Sequence, residues 1–277
     1  MKNPFVTTQW LAEHLSDSGL VVVDGSWHMP NSTRNAQAEY LAGHIPGAVF
    51  FDIDGIADTS TDLPHMLPSP AEFARAVGAL GISEDSTIVV YDEVGMFTAP
   101  RVWWTFRTFG AKNVLILEGG GPKWRAERRP TETGLVKRNR AAFNTDFDPR
   151  AVADFDLVKA RSKDGTVQIL DARPAPRFHG EAPEPRPGLK SGHIPGSLNV
   201  PVGLLTENGA MKSSDTLQTL FAERGVDLGK PIITSCGSGV TAVVLALALE
   251  QAGAKQIAVY DGSWSEWGAR PDAEVES

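Results

Sequence analysis

The chain has 277 residues, a formal net charge of −8, 42% hydrophobic residues and one cysteine. A single cysteine excludes an intramolecular disulfide framework, and the negative charge argues against a nucleic-acid partner, because phosphate binding needs a basic surface. The first residues show no basic segment followed by an apolar run, and the longest apolar stretch, 242–249, is too short to span a bilayer. We therefore expect a cytoplasmic protein with no membrane partner, and none of these facts names its function.

Apolar runs alternate with helical patterns along the chain. Runs of Val, Ile and Leu predict buried strands, and a spacing of three to four between apolar residues predicts helices. The predicted elements, in chain order, are a strand at 20–24, a helix at 70–81, a strand before Asp92, a strand at 167–171, helices at 216–224 and 240–252, and, between those two helices, a strand before Cys236. Such alternation predicts an α/β fold with parallel sheets flanked by helices.

The order of elements repeats. Gly-His-Ile-Pro-Gly occurs at 43–47 and at 192–196, an offset of 149 (192 − 43). Lys123-Trp124 corresponds in the same way to Glu266-Trp267, and the apolar runs that end in Asp24 and Asp171 also match. A fixed order with a slowly drifting offset indicates a duplication. We predict two domains, at 1–125 and 151–277, joined by a connection at 126–150 that packs along the surface.

Cys236 begins the sequence Cys-Gly-Ser-Gly-Val-Thr, directly after a predicted strand and before a predicted helix. In a parallel sheet, ligands bind at this carboxyl edge. Glycines let a loop turn its amide N–H groups inward, and the start of a helix adds partial positive charge, so that both stabilise a thiolate. A buried inert cysteine is the alternative, but the position and the loop favour a reactive one.

Three chemistries use a cysteine in such a loop. A cysteine protease needs a histidine base, and no histidine lies near Cys236 in the sequence. A cysteine phosphatase clamps phosphate with an arginine at the end of a longer loop, and this loop has none. A short ring of amides around one sulfur suits a persulfide.

These features, together with the Asp-Gly-Ser-Trp-Ser-Glu-Trp run at 261–267, resemble the tandem rhodanese-type sulfurtransferases. The resemblance implies two tandem rhodanese-like domains, of which the first is not catalytic because Asp92 stands where the cysteine would be. The loop is most similar to that of the 3-mercaptopyruvate sulfurtransferases. Members that prefer thiosulfate usually carry two basic residues where this chain has Gly237 and Ser238.

The resemblance also implies roles for arginines and loop residues. Arg177 and Arg186 would hold the substrate carboxylate and carbonyl, since arginine binds such groups bidentately; the alternative is that both pair with Glu181 and Glu184. Arg173 is expected in a structural ion pair. The remaining predicted substrate-binding residues belong to the cysteine loop and are Gly237, Gly239, Val240 and Thr241.

A second set of catalytic candidates comes from the same resemblance. It implies a relay of Ser238, His65 and Asp54 that moves a proton near the reacting thiol. A histidine that is merely solvated in its loop is the alternative for His65. His44 and His193, one in each repeat, are expected to hydrogen-bond the backbone of their turns.

The implied activity is sulfur transfer from 3-mercaptopyruvate through a Cys236 persulfide to an acceptor, with release of pyruvate. The acceptor would be cyanide or a thiol such as thioredoxin or a low-molecular-weight thiol. No cofactor and no metal ion are expected. Two alternatives stay open: a thiosulfate sulfurtransferase, and a persulfide carrier that turns nothing over.

Overall fold

The computed structural model describes residues 3–29 and 31–277. These form two compact units. The first contains the described residues up to Thr59, with Leu67–Asp148 and Asn208–Ala210, and the second contains Ser60–Met66, Pro149–Glu207 and Met211–Ser277. The domain limits 1–125, 126–150 and 151–277 stay predictions.

The first unit is built on a five-stranded parallel sheet with the order β1-β5-β4-β2-β3. Its strands are β1 (Phe5–Val6), β2 (Leu20–Asp24), β3 (Val49–Phe50), β4 (Thr87–Tyr91) and β5 (Asn113–Leu117). Its helices are α1 (Thr8–His14), α2 (Ala36–Ala42), α3 (Pro70–Ala79), α4 (Ala99–Thr108) and α5 (Gly120–Ala126). The central strand, β4, is followed directly by Asp92.

The second unit repeats this topology with the order β6-β12-β11-β7-β8, again parallel. Its strands are β6 (Val152–Ala153), β7 (Gln168–Asp171), β8 (Leu198–Asn199), β11 (Ile232–Ser235) and β12 (Ile257–Tyr260). Its helices are α6 (Phe155–Asp164), α7 (Ala175–Phe178), α8 (Ser214–Glu223), α9 (Thr241–Ala252) and α10 (Ser263–Trp267), with 3-10 helices at Pro149–Ala151 and Val202–Leu204. A separate two-stranded sheet pairs β9 (Thr206–Glu207) with β10 (Ala210–Met211).

The predicted fold is confirmed: each half is a parallel sheet flanked by helices, and the two strand orders are the same when position is compared with position. The helices begin where the sequence supplies a cap. Ser69 caps α3, with Glu72 completing a capping box and Pro70 in the first turn. Helix α8 begins two residues earlier than predicted, because the Ser213 hydroxyl accepts a hydrogen bond from the backbone N–H of Thr216.

Helix α9 is apolar on all sides and is buried along most of its length, from Ala242 to Leu249. It packs against α8, β11 and β12, so that no face remains for solvent. Within residues 3–29 and 31–277, no helix is both long and apolar enough to cross a membrane.

Residues up to Asp148 of the predicted connection belong to the first unit. The backbone N–H of Ala141 donates to the carbonyl of Gly78 at 2.9 Å, and a Cβ on Gly78 would lie 2.5 Å from the Ala141 carbonyl oxygen. Glycine therefore permits this approach. The ring of Phe143 is buried and packs edge-on against Phe73 at 5.3 Å.

Candidate functional site

Cys236 lies at the carboxyl end of β11, the central strand of the second sheet, and it is buried. The loop of residues 236–240 connects it to α9. Gly239 adopts a left-handed φ of 77°, a conformation that glycine takes without steric cost. Ser238 and Val240 in the same loop are also buried. The strand, loop and helix arrangement predicted around the cysteine is therefore present.

Helix α10 holds the outer side of this cysteine loop. The carbonyl of Cys236 accepts from the Trp264 N–H at 2.9 Å, and the carbonyl of Gly237 accepts from the Ser265 N–H at 2.9 Å. The Ser265 hydroxyl donates to the same Gly237 carbonyl at 2.7 Å, and the Ser263 hydroxyl oxygen accepts from the Cys236 N–H at 3.1 Å. Nothing in the pattern of the run at 261–267 predicts this support of the cysteine loop by its serines.

Asp92 occupies the corresponding position in the first unit, and its carboxylate fills its own loop. Five backbone N–H groups donate to it at distances from 2.5 to 2.9 Å. The donors are those of Val94, Gly95, Phe97, Thr98 and Ala99. Successive N–H groups turned to one point form an anion-binding concavity. In the first unit, the protein's own side chain occupies it.

A buried charge network lies beside the cysteine loop. Arg173 binds Asp171 and Glu184, and its guanidinium lies 4.1 Å from the centre of the Trp264 ring. Glu184, with a side chain 3% exposed, also binds Arg177. This arrangement confirms the expected structural pairing of Arg173. Removing one member of such a network would leave a buried charge uncompensated.

Arg177 extends from this network to the loop. A Cβ on Gly237 would lie 3.0 Å from its Nη2 atom. Glu184 engages the Nε and Nη2 atoms, so that one N–H of Nη1 and one of Nη2 remain along the outer edge of the guanidinium. That edge is the one with which arginine binds a second carboxylate. Arg177 thus pairs with Glu184 and still presents donors near the cysteine loop.

The other predicted site residues are placed as follows. Arg186 is half-buried in the segment after α7. His65 is buried with a left-handed φ of 63° and belongs to Ser60–Met66, which is part of the second unit. Asp54 belongs to the first unit and accepts from the Trp27 indole N–H at 2.8 Å. The relay of Ser238, His65 and Asp54 stays a prediction.

The two repeat histidines bind backbone, as expected. The Nδ1 atom of His44 lies 2.8 Å from the carbonyl oxygen of Tyr40, and that of His193 lies 2.9 Å from the carbonyl oxygen of Phe178. The backbone of His44 pairs with Glu132. These histidines therefore hold their turns in place.

Comparison with known proteins agrees with this geometry. The family model for the rhodanese-like domain matches residues 7–127 and 154–270. The 3-mercaptopyruvate sulfurtransferase of Escherichia coli strain K12 is 50% identical over 273 residues, which cover 98% of this chain and 97% of that protein. The mitochondrial thiosulfate/3-mercaptopyruvate sulfurtransferase 1 of Arabidopsis thaliana is 42% identical and covers 99% of this chain and 78% of that protein.

A solved structure gives the same result. The crystal structure of the 3-mercaptopyruvate sulfotransferase SseA from Escherichia coli aligns with a TM-score of 0.88 at 46% identity. The alignment covers 95% of this chain and 99% of that one. With the domain matched in both halves and relatives of this identity over nearly its whole length, the chain belongs to the rhodanese family of sulfurtransferases.

Proposed function

We propose that the chain transfers sulfur from 3-mercaptopyruvate through a persulfide on Cys236, releasing pyruvate. The observation that carries this is the position of the Arg177 guanidinium beside the cysteine loop, at 3.0 Å from the Cβ position of Gly237. A carboxylate bound at its outer edge would place the rest of a small donor over Cys236. The names of the relatives in Escherichia coli and Arabidopsis support the same donor.

The chemistry balances with the residues present. The Cys236 thiolate attacks the sulfur of mercaptopyruvate, so that an S–S bond forms and the substrate C–S bond breaks. The electron pair of that bond passes to the substrate carbon and gives the enolate of pyruvate, which then takes a proton. The acceptor attacks the outer sulfur of the persulfide and restores the Cys236 thiolate, so that cyanide leaves as thiocyanate.

Arg177 and Arg186 would bind the carboxylate and the carbonyl, whose oxygen gains charge in the enolate. The loop residues Gly237, Gly239, Val240 and Thr241 would line the remaining wall. The relay of Ser238, His65 and Asp54 would supply the proton to the enolate carbon.

A thiosulfate sulfurtransferase is the second candidate, and the combined name of the Arabidopsis relative favours it. Thiosulfate carries two negative charges next to the reacting sulfur and gains from cations in the loop itself. Gly237 and Ser238 offer none. Mercaptopyruvate, whose carboxylate is farther from its sulfur, fits a cation that comes from outside the loop, as Arg177 does from α7.

The acceptor in the cell is proposed to be a thiol, either thioredoxin or a low-molecular-weight thiol, and the enzyme is proposed to be cytoplasmic. The support for a small or mobile thiol is chemical: a persulfide is consumed by attack of a thiolate on its outer sulfur.

The experiment compares mercaptopyruvate and thiosulfate as donors with cyanide as acceptor, for the unmodified chain and for Arg186→Gly. We expect a higher kcat/KM with mercaptopyruvate, one pyruvate formed for each thiocyanate, and a loss of roughly ten- to a hundredfold in Arg186→Gly. Arg224→Gly, at an exposed arginine after α8, is the control. A higher kcat/KM with thiosulfate would establish the second candidate, and no turnover with either donor would establish a carrier.

A further inference from the structure

The loop that carries Cys236 is held from outside by two serine side chains of α10. Ser263 is fully buried, and its hydroxyl accepts from the Cys236 N–H while donating to the Tyr260 carbonyl at 2.8 Å. Ser265, 5% exposed, donates its hydroxyl to the Gly237 carbonyl. That carbonyl therefore receives two hydrogen bonds from one residue, from the N–H and from the hydroxyl.

These contacts decide which way the loop amides face. In a trans peptide, the C=O and the following N–H point in opposite directions. Because the carbonyls of Cys236 and Gly237 are turned outward to α10, the N–H groups of Gly237 and Ser238 are turned to the opposite side. That is the side on which N–H groups can stabilise charge on sulfur.

The first unit provides an internal comparison. Trp124 corresponds to Trp267, an offset of 143 (267 − 124), which aligns Gly120 with Ser263 and Pro122 with Ser265. The N–H of Gly121 still donates to the Asp92 carbonyl at 3.0 Å, as that of Trp264 does to Cys236. The fold thus keeps the backbone contact in both units, whereas both hydroxyl groups are present only beside the cysteine.

Backbone conformation points the same way. Ser263 has a left-handed φ of 48°, and Gly120 has a φ of 55° at the aligned position. Glycine adopts this conformation readily, whereas a serine is strained in it. A residue kept in a strained conformation by its surroundings is typical of a functional site. The strained serine occurs in the unit that carries the cysteine.

We propose that Ser263 and Ser265 are positioning residues for sulfur transfer, acting through the backbone of the cysteine loop. This inference rests on the proposed reaction at Cys236. Ser263 fixes the Cys236 amide, and Ser265 fixes the peptide that aims the Ser238 N–H at the sulfur. Neither serine touches the substrate, so both should change kcat more than KM.

The test uses Ser263→Gly, which reproduces the residue of the first unit, and Ser265→Ala. The control is Ser197→Ala. Ser197, in the same unit, is 8% exposed and donates its hydroxyl to the Ile194 carbonyl at 2.6 Å, so it loses a bond of the same kind away from the cysteine loop. Three quantities are measured: kcat and KM with mercaptopyruvate, and the rate at which iodoacetamide alkylates Cys236 at pH 7. Since Cys236 is the only cysteine, alkylation reports on this one thiol.

We expect kcat to fall about five- to tenfold in each variant, with KM within about twofold of the unmodified chain. Alkylation at pH 7 should slow by a similar factor, because the loop N–H groups that stabilise charge on the sulfur are no longer held in place. Equal values for the two variants and Ser197→Ala would overturn the proposal. Alkylation needs no donor, so it tests the positioning role even if the unmodified chain fails to turn over mercaptopyruvate, a result that would contradict the proposed function alone.

Discussion

Glu184 connects the interior of the second unit to the cysteine loop. Its buried carboxylate binds both Arg173 and Arg177, and a buried carboxylate between two guanidinium groups is costly to remove because it leaves their charges uncompensated. It also restricts Arg177 to one orientation beside Gly237. At this single residue, stability and the proposed binding of substrate by Arg177 depend on the same contacts.

We therefore predict that Glu184→Gln lowers the free energy of unfolding by about 3 kcal/mol and raises KM for mercaptopyruvate. Glu274→Gln is the matched control, because Glu274 pairs with Lys163 on the surface with a side chain 71% exposed, and such pairs contribute under about 1 kcal/mol. Urea unfolding and steady-state kinetics measure the two effects. Equal stability of the two variants would contradict the role given to Glu184.

A second carboxyl group sets a pH dependence in the first unit. Asp24 is fully buried at the end of β2, and one of its oxygens accepts both the N–H and the hydroxyl of Ser26. Burial raises the pKa of Asp24 to about 6 against the opposing effect of the Ser26 hydrogen bonds. The folded state thus favours the neutral acid. The stabilising contribution is complete below the unfolded pKa near 4 and is lost as the pH rises through about 6.

Asp24→Asn keeps the oxygen that Ser26 uses and removes the ionisation. We predict that its stability relative to the unmodified chain increases between pH 4 and pH 7 by at most roughly 3 kcal/mol, at about 1.4 kcal/mol per pKa unit. Urea unfolding at several pH values measures this difference. A difference that does not vary with pH would show that Asp24 is ionised in the folded state throughout this range.

At the scale of elements, the loops that follow β4 and β11 differ in the side chain that stands at their start. The first loop closes on the Asp92 carboxylate, and the second has Cys236 at the corresponding position, where we propose that the loop amides face the sulfur. We predict that Asp92→Asn destabilises the chain by about 2–4 kcal/mol, because an amide nitrogen cannot accept the N–H groups that one carboxylate oxygen now accepts, while most of the sulfurtransferase activity is kept.

The control for Asp92→Asn is Asp164→Asn, which changes an exposed carboxylate that binds the N–H and hydroxyl of Thr166. Urea unfolding and the thiocyanate assay are run on both variants. A loss of activity comparable to that of a Cys236 variant would mean that the first unit takes part in the chemistry. Unchanged stability would mean that the five N–H contacts are not worth more than contacts with water.

The elements that could be predicted from the sequence are those with local signals. The apolar runs of β2, β4, β7 and β11, and the periodicity of α3 and α9, depend only on neighbours along the chain. The contacts of Ser263 and Ser265 with the cysteine loop join residues 27 and 28 positions apart. The spacing of apolar residues along the chain does not indicate contacts between residues so far apart in sequence. A position-by-position comparison of the two repeats could have singled out these serines, since the aligned Gly120 and Pro122 have no hydroxyl group.

The site was predictable in part for the same reason. Cys236 can be identified from the sequence because it lies between a predicted strand and a predicted helix. Arg173 and Asp171 are only two residues apart, so their pairing depends on local sequence. The double pairing of Glu184 was not predictable, because the segment between α7 and β8 has no regular structure that fixes the direction of its side chains. Its charges could be counted from the sequence, but their partners depend on the folded path of the chain.

At the scale of the whole molecule, the same fold occurs twice with different residues at its central loop. Both units keep the strand order, the histidine turn and the backbone contact behind the central loop. Among the differences between the units, three lie at the loop and its support: Asp92 against Cys236, Gly120 against Ser263, and Pro122 against Ser265. Fold and function are specified by different residues, so a duplicated domain can keep its core while the residues at its central loop change.

The central claim, that Cys236 carries the sulfur, is tested most directly by the intact mass of the chain after exposure to mercaptopyruvate without an acceptor. We predict that the unmodified chain gains one sulfur atom, which cyanide removes as thiocyanate. Cys236→Ser should gain none and show no turnover, with an unchanged free energy of unfolding, because Ser263 and α10 hold the loop through its backbone. Sulfur bound to Cys236→Ser, or substantial turnover by it, would contradict the account.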